Sequence, residues 1–216
     1  MTAVAAFEIP QSLRLDAWSQ TWTLLGAKSV PLDVHAKLIE RYREPHRAYH
    51  TLQHLDECLR LRSSLLGDCG SPAEIDIALW FHDAIYAPMR RDNEALSAEW
   101  LGQVATQWGL APEVRLRLHG LVMATCHRAA PTTGDEALLV DVDLAILGAD
   151  PIRFDEYEAQ VRREFRWVPR PLYRRKRREV LSEFQNRRQI YSSEACLHLF
   201  EEQARNNLAR SIAALA

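Results

Sequence analysis

Three features of this 216-residue sequence predict an all-α fold. Alternation of apolar and polar residues, the mark of a half-buried strand, is almost absent. Apolar residues recur instead at helical spacing, and Pro and Gly cut the chain into helix-length pieces. One of those pieces, Ala78-Leu-Trp-Phe-His-Asp-Ala-Ile-Tyr86, is apolar apart from an adjacent His82-Asp83 pair. A charged Asp beside a His in such a segment is costly unless something compensates it.

Taken in order, Leu13 to Leu25 reads as a first helix, stopped near Gly26. Pro31 starts a second, which runs to about Tyr42 with Leu32, His35, Leu38 and Ile39 on one side. Glu44-Pro45-His46 is a break. A third helix begins near His50 or Thr51, carries Leu52, Leu55, Leu59 and Leu66, and ends near Gly67. Ser71-Pro72 caps the fourth, which contains the His-Asp pair. Tyr86 to Arg91 is a loop, and Asp92 is the N-cap of a fifth helix reaching about Trp108. Pro112 opens a sixth, to about His127. After a connector come Glu136 to Leu147, Ile152 to Trp167, Leu172 to Arg188 and Ser192 to Leu215. No repeat or long linker interrupts them. We therefore expect a single domain over residues 1–216, its N-terminal helices (about 1–43) packed on the rest.

Composition narrows the function classes. Hydrophobic residues are 47%, charged residues 26%, and the formal net charge is -2. That is an ordinary globular balance, with no overall field directed at nucleic acid or membrane. No run is long enough to span a bilayer. The first ten residues lack the basic start and apolar centre of a signal peptide, which makes the cytoplasm the expected location. Cys58, Cys69, Cys126 and Cys196 are scattered and are expected to be reduced thiols. Glu164, Glu179 and Glu183 interrupt the basic run from Arg162 to Arg188, which argues for a solvated face and against nucleic-acid binding. The six tryptophans, Trp167 included, sit at helical spacing and read as packing residues.

A bound cation is the simplest compensation for His82-Asp83, since neutral imidazole and carboxylate are both good ligands. Adjacent helical residues point roughly 100° apart, so an ion must lie in the wedge between them. Such geometry suits a bundle core with ligands converging from several helices. His50 and His54 upstream, and His127, Asp141 and Asp143 downstream, are the available partners. His50 and His54 are four apart and would share a helix face. Asp141 and Asp143 differ by roughly 200°, so one is a ligand and the other a surface or supporting group. Periodicity does not choose between them.

The order His54, His82-Asp83, Asp143 resembles the H…HD…D signature of the HD-domain metal-dependent phosphohydrolase superfamily. The resemblance extends to flanking words: Tyr49-His50-Thr-Leu-Gln-His54, Trp80-Phe-His-Asp-Ala-Ile-Tyr86, Asp92-Asn-Glu-x-x-Ser-Ala98, Thr125-x-His127 and Val140-Asp-Val-Asp-Leu-Ala-Ile-Leu-Gly148. A weaker match continues through Arg163-Glu-Phe-x-x-Val-Pro169. These look like a subgroup of predicted HD phosphohydrolases, over about Arg41 to Tyr191.

The resemblance implies an HD-domain-like helical bundle with metal ligands His54, His82, Asp83 and Asp143. It also implies a divalent ion (Mn, Mg, Fe, Co or Zn). Asp143 is preferred because the family's last ligand falls on the second Asp of its D-x-D. His50 becomes a candidate phosphate contact or alternate ligand, and His127 a contact to phosphate or to a second metal. Two imidazoles and two carboxylates neutralise a dication and leave positions open. An ion there lowers the pKa of a water from about 15.7 towards 7 and polarises a phosphoryl oxygen. Asp83 and Glu94 are the candidate catalytic residues; Glu94 would orient water or move a proton. The same residue also suits a helix dipole as a plain first-turn acid. Arg47, beside His50, is a candidate phosphate contact. The expected activity is hydrolysis of a phosphate ester of a nucleotide or other small phosphorylated metabolite. Two alternatives share the ligand set: an HD-type di-iron oxygenase, with His50 and His127 as extra ligands, and a non-catalytic metal or nucleotide sensor.

Overall fold

The computed structural model describes residues 10–65 and 69–216. The end expected for the third helix, at Leu66 and Gly67, lies outside them, as does most of the segment read for a targeting signal. The described residues form ten α-helices and two 3₁₀ turns, with no strand, so the fold is all-α. A 3₁₀ turn (Gln11–Leu13) leads into α1 (Leu15–Leu24), followed by α2 (Leu32–Arg41), α3 (Leu52–Ser64), α4 (Pro72–Phe81) and α5 (Asn93–Gln107). Then come α6 (Pro112–Ala124), α7 (Gly134–Asp143), a second 3₁₀ turn (Leu144–Gly148), α8 (Pro151–Glu164), α9 (Arg170–Gln185) and α10 (Glu194–Ala214).

The most apolar helix sits at the centre. Ile75, Ile77, Ala78, Leu79, Trp80 and Phe81 of α4 are all buried. A helix apolar on every side must be enclosed by neighbours. Here α1, α3, α5, α6 and α7 pack around it. Trp18 of α1 meets Trp80 at 5.2 Å and Trp22 at 5.5 Å, ring centre to ring centre, so the N-terminal helices are joined to the core through buried rings. Trp167 departs from the packing role expected of it, with more than half its surface exposed.

Helix ends explain most of the boundary differences. Thr51 accepts from the Gln53 N–H and so caps α3, which puts His50 before the helix rather than on its face. Ser71 makes no side-chain cap; α4 starts on Pro72 alone. Asp92 stands at the N-cap of α5, but its carboxylate is bound to Arg90 instead of to backbone. The sixth helix ends three residues before His127, and the seventh tightens to 3₁₀ geometry after Asp143. Gly148 closes that turn because the α10 backbone passes so near that a Cβ would lie 2.6 Å from the Cβ of Phe200. The four cysteines are reduced, with no disulfide among the described residues.

Candidate metal centre

Three helix ends meet at one point. His54 lies in the first turn of α3, His82 directly follows α4, and Asp143 is the last residue of α7. The fourth helix does not contain His82-Asp83, as expected from sequence, but stops just before it. This resolves the orientation problem, because the chain turns after His82 and need not hold both residues on one helical wedge.

The donor atoms of His54, His82 and Asp143 lie within 4.8 Å of one another, an arrangement that could hold a metal ion. His54 Nε2 is 3.2 Å from His82 Nε2 and 3.2 Å from Asp143 Oδ1; His82 Nε2 is 3.5 Å from Asp143 Oδ1. Asp83 Oδ2 borders the trio, 3.0 Å from His82 Nε2 and 3.7 Å from His54 Nε2. The imidazoles are 2% and 1% exposed and the Asp83 and Asp143 side chains 16% and 14%, so the carboxylates face the opening.

The hydrogen bonding tests whether a cation fits. His82 Nδ1 lies 2.7 Å from the Leu79 carbonyl, which can only accept, so Nδ1 carries a proton. In a neutral ring Nε2 is then a bare lone pair. That lone pair faces two carboxylates and a second imidazole, and the two negative charges favour a cation between them. A backbone carbonyl on the outer nitrogen is also how metal-binding histidines are commonly oriented. Donors about 2.0–2.2 Å from an ion stand about 3–3.5 Å apart, close to the separations seen. The residues therefore fit a divalent ion. The electrostatics agree. Burial would raise the Asp143 and Asp83 carboxyls, but the surrounding histidines outweigh it and hold both below the ordinary range. Burial would lower His82, and the two acids push it well above its usual value, so a proton and a metal ion answer the same demand for positive charge at Nε2 and compete for it.

A supporting ring surrounds the centre. Tyr49 Oη is 3.0 Å from His54 Nδ1. His127 Nε2 lies 3.1 Å from Asp143 Oδ2, which leaves Oδ1 for the imidazoles. His127 has φ 52°, a left-handed conformation that a non-glycine residue adopts at a cost. His50 Nδ1 lies 2.8 Å from Glu164 Oε2, and its ring stacks on Tyr86 at 4.1 Å.

Glu164 is the residue that sequence reasoning missed, having taken it as an interruption in a basic run and as part of a weak family-like word, with no role in the site. Its Oε1 accepts the backbone N–H groups of Ala48, Tyr49 and His50, and Tyr86 Oη donates to Oε2 at 2.7 Å. Burial would raise this carboxyl; His50, the backbone donors and Tyr86 outweigh it and hold it at about 2. The available signal was its helical position, three residues after Val161 and just before Phe165, which puts an acid beside apolar residues on one face.

Other expected residues have different surroundings. Arg47 is buried, and its guanidinium donates to the carbonyls of Asp83 (2.7 Å), Ala84 (3.1 Å) and His50 (3.1 Å) and to Glu44. It pins the turn after His82 and has little left for a phosphate. Asp141 is fully buried and accepts from the N–H groups of Ser192 and Ser193 at 2.6–2.9 Å, just ahead of α10. It is neither a surface group nor a part of the centre. Glu94 lies against Cys126, one residue before His127; burial and then Glu94 push that thiol up. Asn93 clamps both backbone groups of Ala87, and Ser97 accepts from the Ile85 N–H. The family-like word around Glu94 thus secures the loop that follows Asp83.

A cavity of about 250 Å³ adjoins His54 and Asp143, lined also by Cys58, Val142, Arg153 and Phe200. No helix among the described residues is long and apolar enough to cross a membrane. No family model matches the chain, and neither a curated protein nor a solved structure matches it.

Proposed function

We propose that this chain is a cytoplasmic HD-type phosphohydrolase, which binds a divalent ion and hydrolyses a phosphate ester of a nucleotide or other small phosphorylated metabolite. One observation carries the reading: the His82 Nε2, the His54 imidazole and two partly open carboxylates converge on one point, as a metal ion requires. His54, His82 and Asp143 would hold the ion, with Asp83 completing the set. Such an ion supplies Lewis acidity to a water and to a phosphoryl oxygen.

The chain's own residues do the rest. His127 holds Asp143 by one oxygen so that the other faces the imidazoles. Glu164 fixes the His50 ring through Nδ1, which leaves Nε2 to donate to a phosphoryl oxygen. Burial would lower His50, but Asp83 and Glu164 raise it, so it favours the protonated, donating form. Arg47 and Asn93 keep the loop after Asp83 from moving out of register. Glu94, at the His127 connector, is the candidate to move a proton between water and substrate.

The test is phosphate release from a panel of nucleotides and phosphomonoesters, with each divalent metal, alongside elemental analysis of the same samples. The expected result is turnover that tracks bound metal. Metal binding without any phosphate release would favour the sensor. A brown, iron-loaded protein that consumes oxygen would favour the di-iron oxygenase.

A further inference from the structure

Several buried or half-buried arginines of α8 to α10 have carboxylate partners: Arg153 with Glu57, Arg177 with Glu158 and Arg205 with Glu201. Arg187 differs. It is half-buried, yet no carboxylate among the described residues lies within ion-pair distance of it. Glu183, four residues earlier, favours its charge without pairing with it. Its guanidinium donates to the His127 carbonyl at 3.4 Å, one contact for a group with five N–H donors.

The surroundings look built for presentation. The guanidinium rests on the Phe184 ring, 4.4 Å from its centre, and the same ring stands edge-on to His127 at 6.2 Å. His127 in turn touches Asp143 through Nε2, while its buried Nδ1 has no partner. Phe184 and His127 therefore tie the cation without a carboxylate to the metal ligand Asp143 through two rings. The backbone beneath is clamped: Arg205 donates to the carbonyls of Arg187 (2.8 Å) and Arg188 (3.2 Å) and to Gln185. A rigid backbone with an uncommitted side chain is what a preorganised binding residue requires. Burial also draws Arg187 below the ordinary arginine value, a cost that a bound anion would relieve.

We propose that Arg187 is the substrate's phosphate anchor, binding the non-bridging oxygens of the phosphoryl group offered to the metal centre. A guanidinium suits this because its planar fork meets two oxygens of one phosphate at once. The inference rests on the phosphohydrolase reading for its substrate, but its test does not depend on turnover.

The probe is inorganic phosphate, titrated calorimetrically into the metal-loaded wild-type protein and into Arg187→Ala, Arg187→Lys and Arg210→Ala. Arg210 of α10 is paired with Asp155 of α8 and serves as the control. Circular dichroism and metal content verify that each variant is folded and loaded. Wild type and Arg210→Ala should bind alike, Arg187→Ala at least tenfold more weakly, and Arg187→Lys in between. Equal binding by wild type and Arg187→Ala overturns the anchor and leaves the hydrolase reading standing. No phosphate binding by the loaded wild type overturns the anchor too. Binding that is lost in Arg187→Ala, in a protein that hydrolyses no ester, upholds the anchor while the hydrolase reading fails. If Arg187→Ala does not fold, Arg187→Lys decides: unchanged affinity overturns the proposal, and a severalfold loss supports it.

Discussion

Asp141 and Asp143 stand two residues apart on α7, both largely buried, in opposite chemical surroundings. Asp141 faces donors, the N–H groups of Ser192 and Ser193, and its charge is satisfied from within the chain. Asp143 faces His54 and His82, and a second carboxylate, Asp83, adjoins those same imidazoles. A buried acid among donors is a structural joint. Buried acids meeting around a lone pair form a site for a cation. Burial alone does not tell the two apart; the polarity of the neighbours does.

The largest expected effect comes from exchanging the two acids' fates. Asp143→Asn and His82→Ala should empty the centre, a loss beyond the roughly 10–100-fold in affinity typical of a residue that merely supports a ligand. Asp141→Asn should keep its metal. Elemental analysis checks both, and an empty Asp141→Asn beside a loaded Asp143→Asn would reverse the assignment. In the wild type, metal at about 100 times its Kd should stabilise by about 2.7 kcal/mol, or roughly 5–10 °C in Tm. Asp143→Asn should show no such response.

Next in size is Glu94→Gln, which should retain metal and lose roughly 10²-fold or more in single-turnover hydrolysis. Unchanged turnover would return Glu94 to the role of a first-turn acid beside Cys126.

Glu164 extends the comparison to pH, being a buried acid among donors like Asp141. Its carboxyl falls from an ordinary 4.5 to about 2 on folding. A depressed acid stabilises fully above its unfolded pKa, and that stability is lost as pH falls through the folded one. Between about pH 4.5 and 2 the wild type should lose on the order of 3 kcal/mol through this group. Urea titrations across that window should show a shallower loss in Glu164→Gln.

The smallest effect is the stability of Asp141→Asn. The amide keeps an acceptor for one of the two N–H groups, so the cost should be about 1–2 kcal/mol. A larger loss with metal intact would mean that the start of α10 depends on the charge itself.

Much of this was legible along the chain. Helical spacing and Pro/Gly breaks located all ten helices, and the apolar run before His82 marked α4 as the central one. His54, His82 and Asp143 were readable as a set, although periodicity alone left Asp141 and Asp143 open. Helix ends were less legible. Errors of about two residues put His50 on α3 and His82-Asp83 on α4, because caps and turns depend on partners distant in sequence. Arg47 illustrates this limit: nothing local shows that its guanidinium will be taken up by the carbonyls of Asp83 and Ala84.

The sequence by itself determined an all-α chain, its central apolar helix and the residue types able to bind a cation, since periodicity and side-chain chemistry are local properties. Only the tertiary structure decided which groups meet. It set Asp143 against the histidines and Asp141 against the start of α10. It also placed Glu164 beneath His50, 114 residues away along the chain, and set Arg187 beside the His127 carbonyl with no carboxylate among the described residues within ion-pair distance. A hydrogen bond or an ion pair forms between groups within about 3–4 Å in space, and packing of the helices sets that distance.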